Sequence, residues 1–474
     1  MAFSILGLMG ANAQRRTMPD EQRQLAIYEV MVASFQHDST GTPGYTQMWG
    51  PDGERKNGNL RGIINALDYI RSLNVNAIWL TPIFDSSEAQ GGEKLNATGY
   101  FTNNYFKIDP HFGTEADFRE LVRKAHDRGL YVILDGVFGH HGGVTEPSPS
   151  GHRLDTTPAY NMRDQQPANV SYPGSLDYIR DVATYWIDEF EVDGWRLDQA
   201  YQLLQDSVNY WNPVRKAVED VCARRQAEGK KWGTLGYMVG EDWGNAATIN
   251  NGVYRDGGLI TAFDFDGKER LSGPAQKLDS EGLENGWDDV IVTLRSPRER
   301  GYLTDSVAPT LFLTNHDTYR LADHFDPSDP YYYPKQMARF AVLAAYNGPI
   351  QIYYGDEYAD RSVHTTGGAP DNIARTSGHL EARDSDEASL ADYLRQVLKF
   401  RSENPAMWRG NATFEKQNIA GANTLTVRKK DTASGNEVLI VFSDADTTVP
   451  VRGIGGIDVD AWRPELVVVK APAE

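Results

Sequence analysis

Apolar residues recur along this chain in two alternating patterns. From residue 26 onward, short and nearly unbroken apolar runs alternate with longer stretches in which apolar positions return every three or four residues. The short runs predict strands at 26–35, 75–84, 130–138, 192–198, 236–242, 259–265, 309–315 and 349–355. The longer stretches predict helices at 59–73, 114–128, 174–190, 207–227, 335–346 and 389–403.

The predicted strands indicate an α/β fold with a parallel sheet. Each run is apolar almost throughout, as expected for strands that are covered on both faces. Eight such strands with helices between them are the number that closes a (β/α)8 TIM barrel. A doubly wound open sheet is the alternative fold.

Two regions depart from a bare barrel. Residues 139–173, after the third strand, are rich in Gly and Pro turns and are too long for an ordinary loop, so they predict a short inserted lobe over the barrel mouth. Residues 405–474 contain alternating and continuous apolar runs separated by turn residues, which predict a C-terminal antiparallel β domain. The catalytic barrel is then assigned to residues 26–138 and 174–404.

Residues 1–25 form an N-terminal extension with some features of an export signal. Phe3–Gly10 is apolar, and Ala11-Asn12-Ala13 has the small-x-small form of a signal-peptidase site. No Lys or Arg precedes Arg15, so the positive segment of a signal peptide is missing. We interpret the extension as a truncated signal and expect a periplasmic or secreted protein; the alternative is a simple extension of a cytoplasmic protein.

The composition narrows the classes of partner. The chain has 47 Lys+Arg and 66 Asp+Glu, a net charge of −19, which argues against nucleic acid or an anionic membrane as the main partner. No apolar run approaches the ~20 residues of a membrane span. The single cysteine, Cys222, excludes an internal disulfide. The 24 Tyr, 17 Phe and 10 Trp provide flat apolar faces for a core or for stacking on sugar rings.

Acidic residues stand at the ends of several predicted strands. Asp135 belongs to the third strand, Asp198 closes the fourth, Glu241 the fifth, and Asp317 follows the seventh. In a barrel all strand ends open at one mouth, so residues far apart in the sequence come together there. Arg196 precedes Asp198 by two residues, which places both side chains on the same face of a strand.

This combination is typical of retaining glycoside hydrolysis. One carboxylate attacks the anomeric carbon, and a second, protonated carboxyl ~5–5.5 Å away donates to the leaving oxygen. A nearby arginine keeps the nucleophile ionised, and burial or like charge keeps the acid protonated. Histidines such as His140 and His316 can bind sugar hydroxyls.

The chain resembles the α-amylase superfamily, glycoside hydrolase family 13. Four short segments resemble its motifs in the family's order: Asp135–His140, Gly194–Asp198, Gly240–Trp243 and Phe312–Asp317. Further similarity lies in Ala77–Pro82, Gly99–Phe101, Phe106–Pro110 and Ile352–Glu357. The resemblance runs from about residue 26 to 405, and the C-terminal β domain matches the usual companion domain.

The resemblance implies roles for individual residues. Asp198 would be the nucleophile, Glu241 the general acid/base, and Asp317 the third carboxylate, which binds hydroxyls and distorts the ring. It implies further substrate contacts or supporting groups at Tyr100, His140, Arg196, His316, Asp135, Trp243 and Arg320. For Tyr100 and Trp243, simple packing at the rim is the alternative.

One position departs from the family pattern. The first motif usually carries an Asn immediately before its His, and in many members this Asn binds a structural calcium ion. Here the position is Gly139, which has no side-chain oxygen, and residues 139–173 lack a dense Asp/Asn run. Pro51–Asn57 does not keep the spacing of a second metal pattern of the family. We therefore expect neither a cofactor nor a metal.

The expected function is hydrolysis of α-glucosidic bonds, foremost α-1,4 bonds, in starch, glycogen or maltooligosaccharides. Gln199–Gln202 lacks the Lys-His pair of many endo-acting amylases, and 165–169 partly matches a motif of oligosaccharide α-glucosidases. An exo-acting α-glucosidase or a transglucosylase is thus the alternative. A non-catalytic carbohydrate-binding barrel would have lost the carboxylates, and all three are present here.

Overall fold

The structure, a computed structural model, describes residues 17–46, 57–87, 92–155, 168–275, 277–278, 282–283, 286–304, 306–363 and 373–473. Three sequence predictions lie wholly or mostly outside these residues: the export signal, the second metal pattern at Pro51–Asn57, and the 165–169 segment. The structure also describes only the two ends of the predicted inserted lobe.

Eight parallel strands form the central sheet. They are β1 (Ala26–Val30), β2 (Ala77–Leu80), β3 (Tyr131–Gly136), β4 (Gly194–Leu197), β5 (Tyr237–Gly240), β6 (Thr261–Ala262), β7 (Leu311–Phe312) and β8 (Ile350–Tyr353). Their order is β6-β5-β4-β3-β2-β1-β8-β7, and a parallel bridge between Phe263 and Thr310 joins the two ends. Every strand lies inside a predicted segment, and the (β/α)8 barrel is confirmed.

The strands separate two apolar layers, as alternation along a strand requires. Ile27, Trp79, Ile133 and Val239 belong to one cluster inside the barrel. Their neighbours along the strands, such as Tyr28, belong to the large cluster between the strands and the helices. Both faces of each strand are therefore buried, which explains the unbroken apolar runs in the sequence.

The helices of the barrel follow the strands. They are α1 (Leu60–Ser72), α2 (Glu115–Asp127), α3 (Leu176–Phe190), α4 (Trp211–Ala227), α5 (Ala246–Asn251), α6 (Phe265–Ser272), α7 (Trp287–Leu294), α8 (Tyr332–Ala344) and α9 (Ser385–Glu403). The six predicted helices are all present. The sequence analysis missed α5, α6 and α7, which have 6, 8 and 8 residues. A helix with only about two turns is too short to show a clear apolar repeat.

Irregular segments cover the mouth of the barrel. After β3, His140–His141 pairs antiparallel with Ala168–Asn169, the two ends of the inserted segment. The Val170 N–H donates to the Gly139 carbonyl (3.0 Å), and the Tyr172 hydroxyl donates to the Phe138 carbonyl (2.8 Å). The inserted segment is thus attached to the carboxyl end of β3, where His140 lies.

The C-terminal region is a separate antiparallel structure, as predicted. It contains β9 (Asn411–Ile419), β10 (Ala422–Lys430), β11 (Glu437–Ser443), β12 (Thr447–Val451), β13 (Gly455–Val459) and β14 (Glu465–Lys470). One sheet has the order β9-β10-β11-β14, and β12 pairs with β13. The domain boundaries given above stay predictions. Within the described part of the chain, no helix is both long and apolar enough to cross a membrane.

Candidate active site

A single buried arginine connects three carboxyl groups at the barrel mouth. Arg196, on β4, is 0% exposed. Its Nη1 donates to Asp198 (2.8 Å) and to Asp135 (3.0 Å), and its Nη2 lies 2.8 Å from Glu241 Oε1. Asp135 belongs to β3 and Glu241 follows β5, so neighbouring strands bring these groups together. One guanidinium therefore contacts the carboxyl groups of Asp198 and Glu241 at the same time.

Asp198 has one bound and one open oxygen. Its Oδ1 accepts from Arg196, whereas its buried Oδ2 accepts no hydrogen bond from any residue that the structure describes. The nearest histidine nitrogen is His140 Nε2, 3.8 Å from Oδ2. An ionised oxygen without a donor is costly when buried. This oxygen is therefore poised to react with, or to bind, an incoming group.

Glu241 is held at both of its oxygens. The backbone N–H of Gln199 donates to Oε2 (2.9 Å), and the indole N–H of Trp243 donates to Oε1 (3.0 Å). Burial raises the pKa of Glu241; Arg196 opposes this increase, and the nearby Asp198 and Asp317 add to it. A carboxyl with a raised pKa can carry a proton near neutral pH, as a general acid must.

Asp317 and His316 form a second charged group on the other side of the mouth. His316 Nε2 lies 3.1 Å from Asp317 Oδ2, and its Nδ1 lies 2.6 Å from Glu29 Oε1. Burial alone would lower the pKa of His316, but the two carboxylates raise it to about 10. Burial likewise would raise the pKa of Asp317, yet His316 and Arg375 hold it well below its usual range. His316 is therefore charged, and Asp317 is ionised.

Tyr100 and Asp135 connect the two charged groups. The Tyr100 hydroxyl donates to Asp135 Oδ2 (2.8 Å) and lies 2.7 Å from His316 Nε2. The Tyr100 ring stacks on the His316 ring, and Trp79 Nε1 also donates to Asp135 (3.2 Å). Burial raises the pKa of Asp135 to about 7. Asp135 is 0% exposed, so its place is beneath the site, where it braces Arg196 and Tyr100.

The structure brings together nine of the ten residues predicted for the site, and Arg320 is the exception. Arg320 is 0% exposed and donates to the Tyr354 carbonyl and to Thr376 Oγ1 (2.8 Å). Its guanidinium lies over the Tyr353 ring. None of these partners belongs to the carboxylate group, so Arg320 holds the loops after β7 and β8 and does not line the mouth.

Two charged residues of the site escaped the sequence analysis. Glu29 lies on β1, is 0% exposed and also accepts from Gln351 Nε2 (2.7 Å). Arg375 donates to Asp317 Oδ1 (2.7 Å). A lone acidic residue in an otherwise apolar predicted strand was a usable signal for Glu29. For Arg375 the sequence carried no signal, because it lies in a loop without a motif.

The residues at the first motif do not fit the family's calcium ion. A β-carbon on Gly139 would meet Gln202 Oε1 at 2.0 Å, so the Gln202 side chain fills the space where an asparagine would stand. Hard cations need several oxygen ligands, which Gly139 does not provide. Among the described residues there is no group of three or more His, Cys, Asp or Glu that could hold a metal ion.

The comparison with family models decides the family. The model for the alpha amylase catalytic domain matches residues 29–150 and 159–429, which is most of the chain. The chain belongs to the α-amylase family. It is a glycosidase of this family, as the resemblance of its four motifs implied, and its barrel is the family's catalytic domain.

Individual relatives agree with this assignment. The cyclomaltodextrinase of Geobacillus thermopakistaniensis is 28% identical over 90% of this chain and 69% of its own length. The intracellular maltogenic amylase of Bacillus subtilis is 38% identical over 75% of this chain and 57% of its own length. This α-amylase-family chain thus spans about two thirds or less of the length of these relatives.

Solved structures match over nearly the full chain. The crystal structure of AmyP in complex with maltose has a TM-score of 0.81 at 32% identity and covers 96% of this chain and 98% of its own. The cyclic α-maltosyl-(1→6)-maltose hydrolase of Arthrobacter globiformis has a TM-score of 0.70 at 21% identity, which shows a shared fold only.

Proposed function

We propose that this α-amylase-family glycosidase hydrolyses α-1,4-glucosidic bonds by double displacement, with Asp198 as nucleophile and Glu241 as general acid/base. One observation carries the assignment of roles. Arg196 binds both carboxylates, but it leaves Asp198 Oδ2 without a hydrogen-bond donor among the described residues. Glu241, by contrast, is hydrogen-bonded at both oxygens and has a raised pKa.

The two steps use these groups in turn. Asp198 Oδ2 attacks the anomeric carbon while Glu241 gives its proton to the glycosidic oxygen, which leaves as an alcohol. The sugar is then bound to Asp198 as an ester, and Glu241 is a carboxylate. A water molecule gives a proton to Glu241 and attacks the same carbon, which frees Asp198 and gives a product with the α configuration of the substrate.

Arg196 favours this sequence by its position. In the first step negative charge leaves Asp198 and Glu241 becomes ionised, so the total charge on the pair is unchanged. The guanidinium touches both groups and stabilises whichever one is charged. It therefore needs no movement between the steps, as preorganised electrostatic stabilisation requires.

The remaining residues bind the sugar. Asp317 presents an ionised carboxylate that is held by His316 and Arg375 and accepts hydrogen bonds from hydroxyl groups. His140 lies beside the open oxygen of Asp198, and Trp243 is 41% exposed and offers an aromatic face near Glu241. These groups fit a neutral, hydroxyl-rich substrate, which a chain with a charge of −19 can bind without electrostatic attraction.

We propose maltooligosaccharides as the preferred substrates, with starch or glycogen as longer ones. Maltose and maltotriose are the ligands named for the AmyP structures, and cyclomaltodextrins are implied by the name of the Geobacillus relative. Both names point to α-1,4-linked glucose. Exo action and glucosyl transfer remain the alternatives that the experiment must separate.

The test follows products over time from maltotriose, β-cyclodextrin and soluble starch. We expect products that are built only of glucose units. Proton NMR, recorded before mutarotation, should show that their newly formed reducing ends have the α configuration. Glucose alone from starch would instead indicate exo action, and products longer than the substrate would indicate transfer. A β-configured first product would contradict double displacement, and absence of turnover on all three substrates would contradict the proposed substrate class.

A trapping experiment tests the nucleophile separately. A fluorinated α-glucosyl donor with a good leaving group should form a stable ester, because fluorine slows the second step. Peptide mapping by mass spectrometry should place the added sugar on Asp198. A label on another carboxylate, such as Asp317 or Asp135, would refute the assigned role of Asp198.

A further inference from the structure

Gly139 and Gln202 fit together beside the active site. A β-carbon on Gly139 would meet Gln202 Oε1 at 2.0 Å and Gln202 Cβ at 2.4 Å. Gly139 precedes His140 on the carboxyl side of β3, and Gln202 lies in the short 3₁₀ turn Ala200–Leu203 that follows Asp198. The glycine therefore does more than leave out a ligand: it makes room for a side chain that comes from another loop.

The Gln202 carboxamide connects two residues of the site. Its Nε2 donates to Gln199 Oε1 (3.0 Å), and its Oε1 lies 3.1 Å from His140 Nδ1. An amide oxygen only accepts hydrogen bonds, so His140 must carry a proton on Nδ1. In the neutral ring this leaves the lone pair on Nε2, the nitrogen that lies 3.8 Å from Asp198 Oδ2.

Gln199 connects the same turn to Glu241. Its backbone N–H donates to Glu241 Oε2 (2.9 Å), and its φ of 40° is in the left-handed region, which disfavours a non-glycine residue. Such a backbone conformation persists only where its surroundings hold it. The hydrogen bond from Gln202 Nε2 to the Gln199 side chain is one such restraint.

A second glutamine fastens this turn to the inserted segment. Gln205 Nε2 donates to the carbonyls of Gln202 (3.0 Å) and Val170 (2.9 Å), and its Oε1 accepts from the Tyr172 N–H (2.9 Å). Carboxamide hydrogen bonds thus join the returning end of the inserted segment to the turn after β4.

We propose that Gln202 is a positioning residue, which fixes the proton of His140 on Nδ1 and restrains the Gln199 turn beside Glu241. In this chain, the Gln202 carboxamide fills the space beside Gly139 and connects the loops that carry His140 and Gln199. The proposal rests on the proposed function only for its kinetic consequence, since the position of the proton and the packing of the pair can be measured without turnover.

The position of the proton is tested by NMR on protein with ¹⁵N-labelled histidine. His140→Asn identifies the His140 signals among the ten histidines. We expect wild-type His140 to be protonated on Nδ1 in its neutral form, and Gln202→Met, which keeps the length but removes the carboxamide, to shift the proton toward Nε2. Wild-type His140 with its proton on Nε2, or an unchanged proton position in the variant, would overturn the proposal.

Kinetics provide the second measurement. Gln202→Met should lower kcat/KM on maltotriose about ten-fold, the effect of a lost hydrogen bond at a reacting group. The control is Gln22→Met, because the Gln22 carboxamide also donates one hydrogen bond (to Leu235 O, 2.8 Å) but lies outside the site. Equal losses in the two variants would reduce Gln202 to a structural role. If neither the wild-type protein nor the control turns over, the proposed function fails while the NMR result stands.

A double-mutant cycle tests the packing of the pair. Gly139→Asn should lower Tm by several degrees, because the new side chain collides with Gln202, and the double variant Gly139→Asn/Gln202→Ala should recover most of that loss. If the Tm losses of the two substitutions were additive, Gln202 would not fill the space beside Gly139. If calcium raised the Tm of the wild-type protein but not that of Gln202→Met, a metal ion would be bound at this position. That result would contradict the proposed role of Gln202.

Discussion

The two ends of the barrel bury charge in opposite ways. At the mouth, Arg196 contacts Asp135, Asp198 and Glu241, so carboxylates outnumber the cation. At the opposite end, Arg401 and Lys429 are buried basic groups whose hydrogen bonds go to backbone carbonyls and one amide oxygen. Burial lowers the pKa of both groups. One end gathers several carboxyl groups around Arg196, and the other places basic side chains against neutral dipoles.

Arg401 and Lys429, at the bottom of the barrel, donate hydrogen bonds to the carbonyl groups at the C-terminal end of α8. Arg401 donates to the carbonyls of Ala344 (2.9 Å) and Tyr346 (2.8 Å), and Lys429 donates to the carbonyl of Ala345. These carbonyls belong to the last residues of α8 and those just after it, which have no partner within the helix. Lys429 lies on β10, so it also joins the C-terminal sheet to the barrel.

The buried basic groups at the bottom of the barrel stabilise the fold, whereas the buried charged groups at the mouth serve activity. At the bottom every donor of Lys429 has a fixed acceptor, and this arrangement stabilises the fold. At the mouth, Asp198 Oδ2 lacks a donor among the described residues, and the pKa values of Glu241 and Asp135 are raised by burial. Such an arrangement is costly without substrate and is typical of a site selected for activity. Charge removal should therefore have opposite effects at the two ends.

The largest effect is expected at the mouth. Asp198→Asn and Glu241→Gln should each lower kcat by at least ~10³-fold, because each removes a reacting group. Tm should stay the same or rise, because Asp198→Asn removes a buried negative charge and Glu241→Gln replaces a protonated carboxyl, whose pKa is raised by burial, by a neutral amide. Turnover of maltotriose and calorimetry measure the two quantities on the same sample. A large loss of Tm in either variant would contradict the division between the two ends.

The next largest effect is expected at the bottom, on stability. Lys429→Met leaves the carbonyls of Ala345 and Met407 without their donor and should cost about 3 kcal/mol of unfolding free energy. kcat per folded molecule should not change. Lys430→Met is the matched control, because Lys430 is the next residue on the same strand and is exposed. Similar Tm values for the two variants, measured by thermal denaturation, would show that the buried ammonium contributes little.

A third prediction concerns the pH dependence of the mouth. The pKa of His316 is raised to about 10, so the stability contributed by its charge is complete below its ordinary pKa of about 6.5 and is lost as pH rises through 10. Glu29→Gln removes one of the two carboxylates that hold this charge. The variant should lose Tm at a lower pH than wild type.

The measurement is Tm between pH 6 and 10.5. Glu357→Gln is the control, because Glu357 is also a fully buried carboxyl but is bound by Tyr28 (2.6 Å) and Tyr69 (2.6 Å) and not by a histidine. We expect its pH profile to follow that of wild type. Coincident profiles for Glu29→Gln and wild type would show that Asp317 alone sustains the charge of His316.

The sequence predicted what local patterns encode. Unbroken apolar runs such as the one around Ile133 reflect strands covered on both faces, and a carboxylate at a strand end such as Asp198 reflects the common mouth of a barrel. The apolar runs in the sequence were longer than the strands that the structure shows. Met31 and Val32, for example, are 0% exposed but lie after the end of β1, because burial extends into the loops.

The remaining features depend on contacts that no local pattern records. Arg375 reaches Asp317 from a loop 58 residues away, and Gln202 fills the space beside Gly139 from 63 residues away, a distance taken from their numbers. Arg320 stood near a motif and was predicted to join the site, yet it turns toward Tyr354. Proximity in sequence to a motif does not fix the direction of a long side chain.

The smallest effect on activity is expected from a change at Trp243. It tests whether Glu241, at the mouth, acts as the acid/base. Trp243→Phe removes the indole N–H that donates to Glu241 Oε1 (3.0 Å) but keeps a ring that can stack on Phe265. This donor stabilises the ionised form of Glu241, so its loss should raise the pKa of that carboxyl further. The alkaline limb of kcat/KM should move to higher pH, and kcat at pH 7 should change by roughly three-fold, about half the effect of a typical hydrogen bond. An alkaline limb that moves to lower pH would mean that Glu241 does not set it, and the acid/base role of Glu241 would then be wrong.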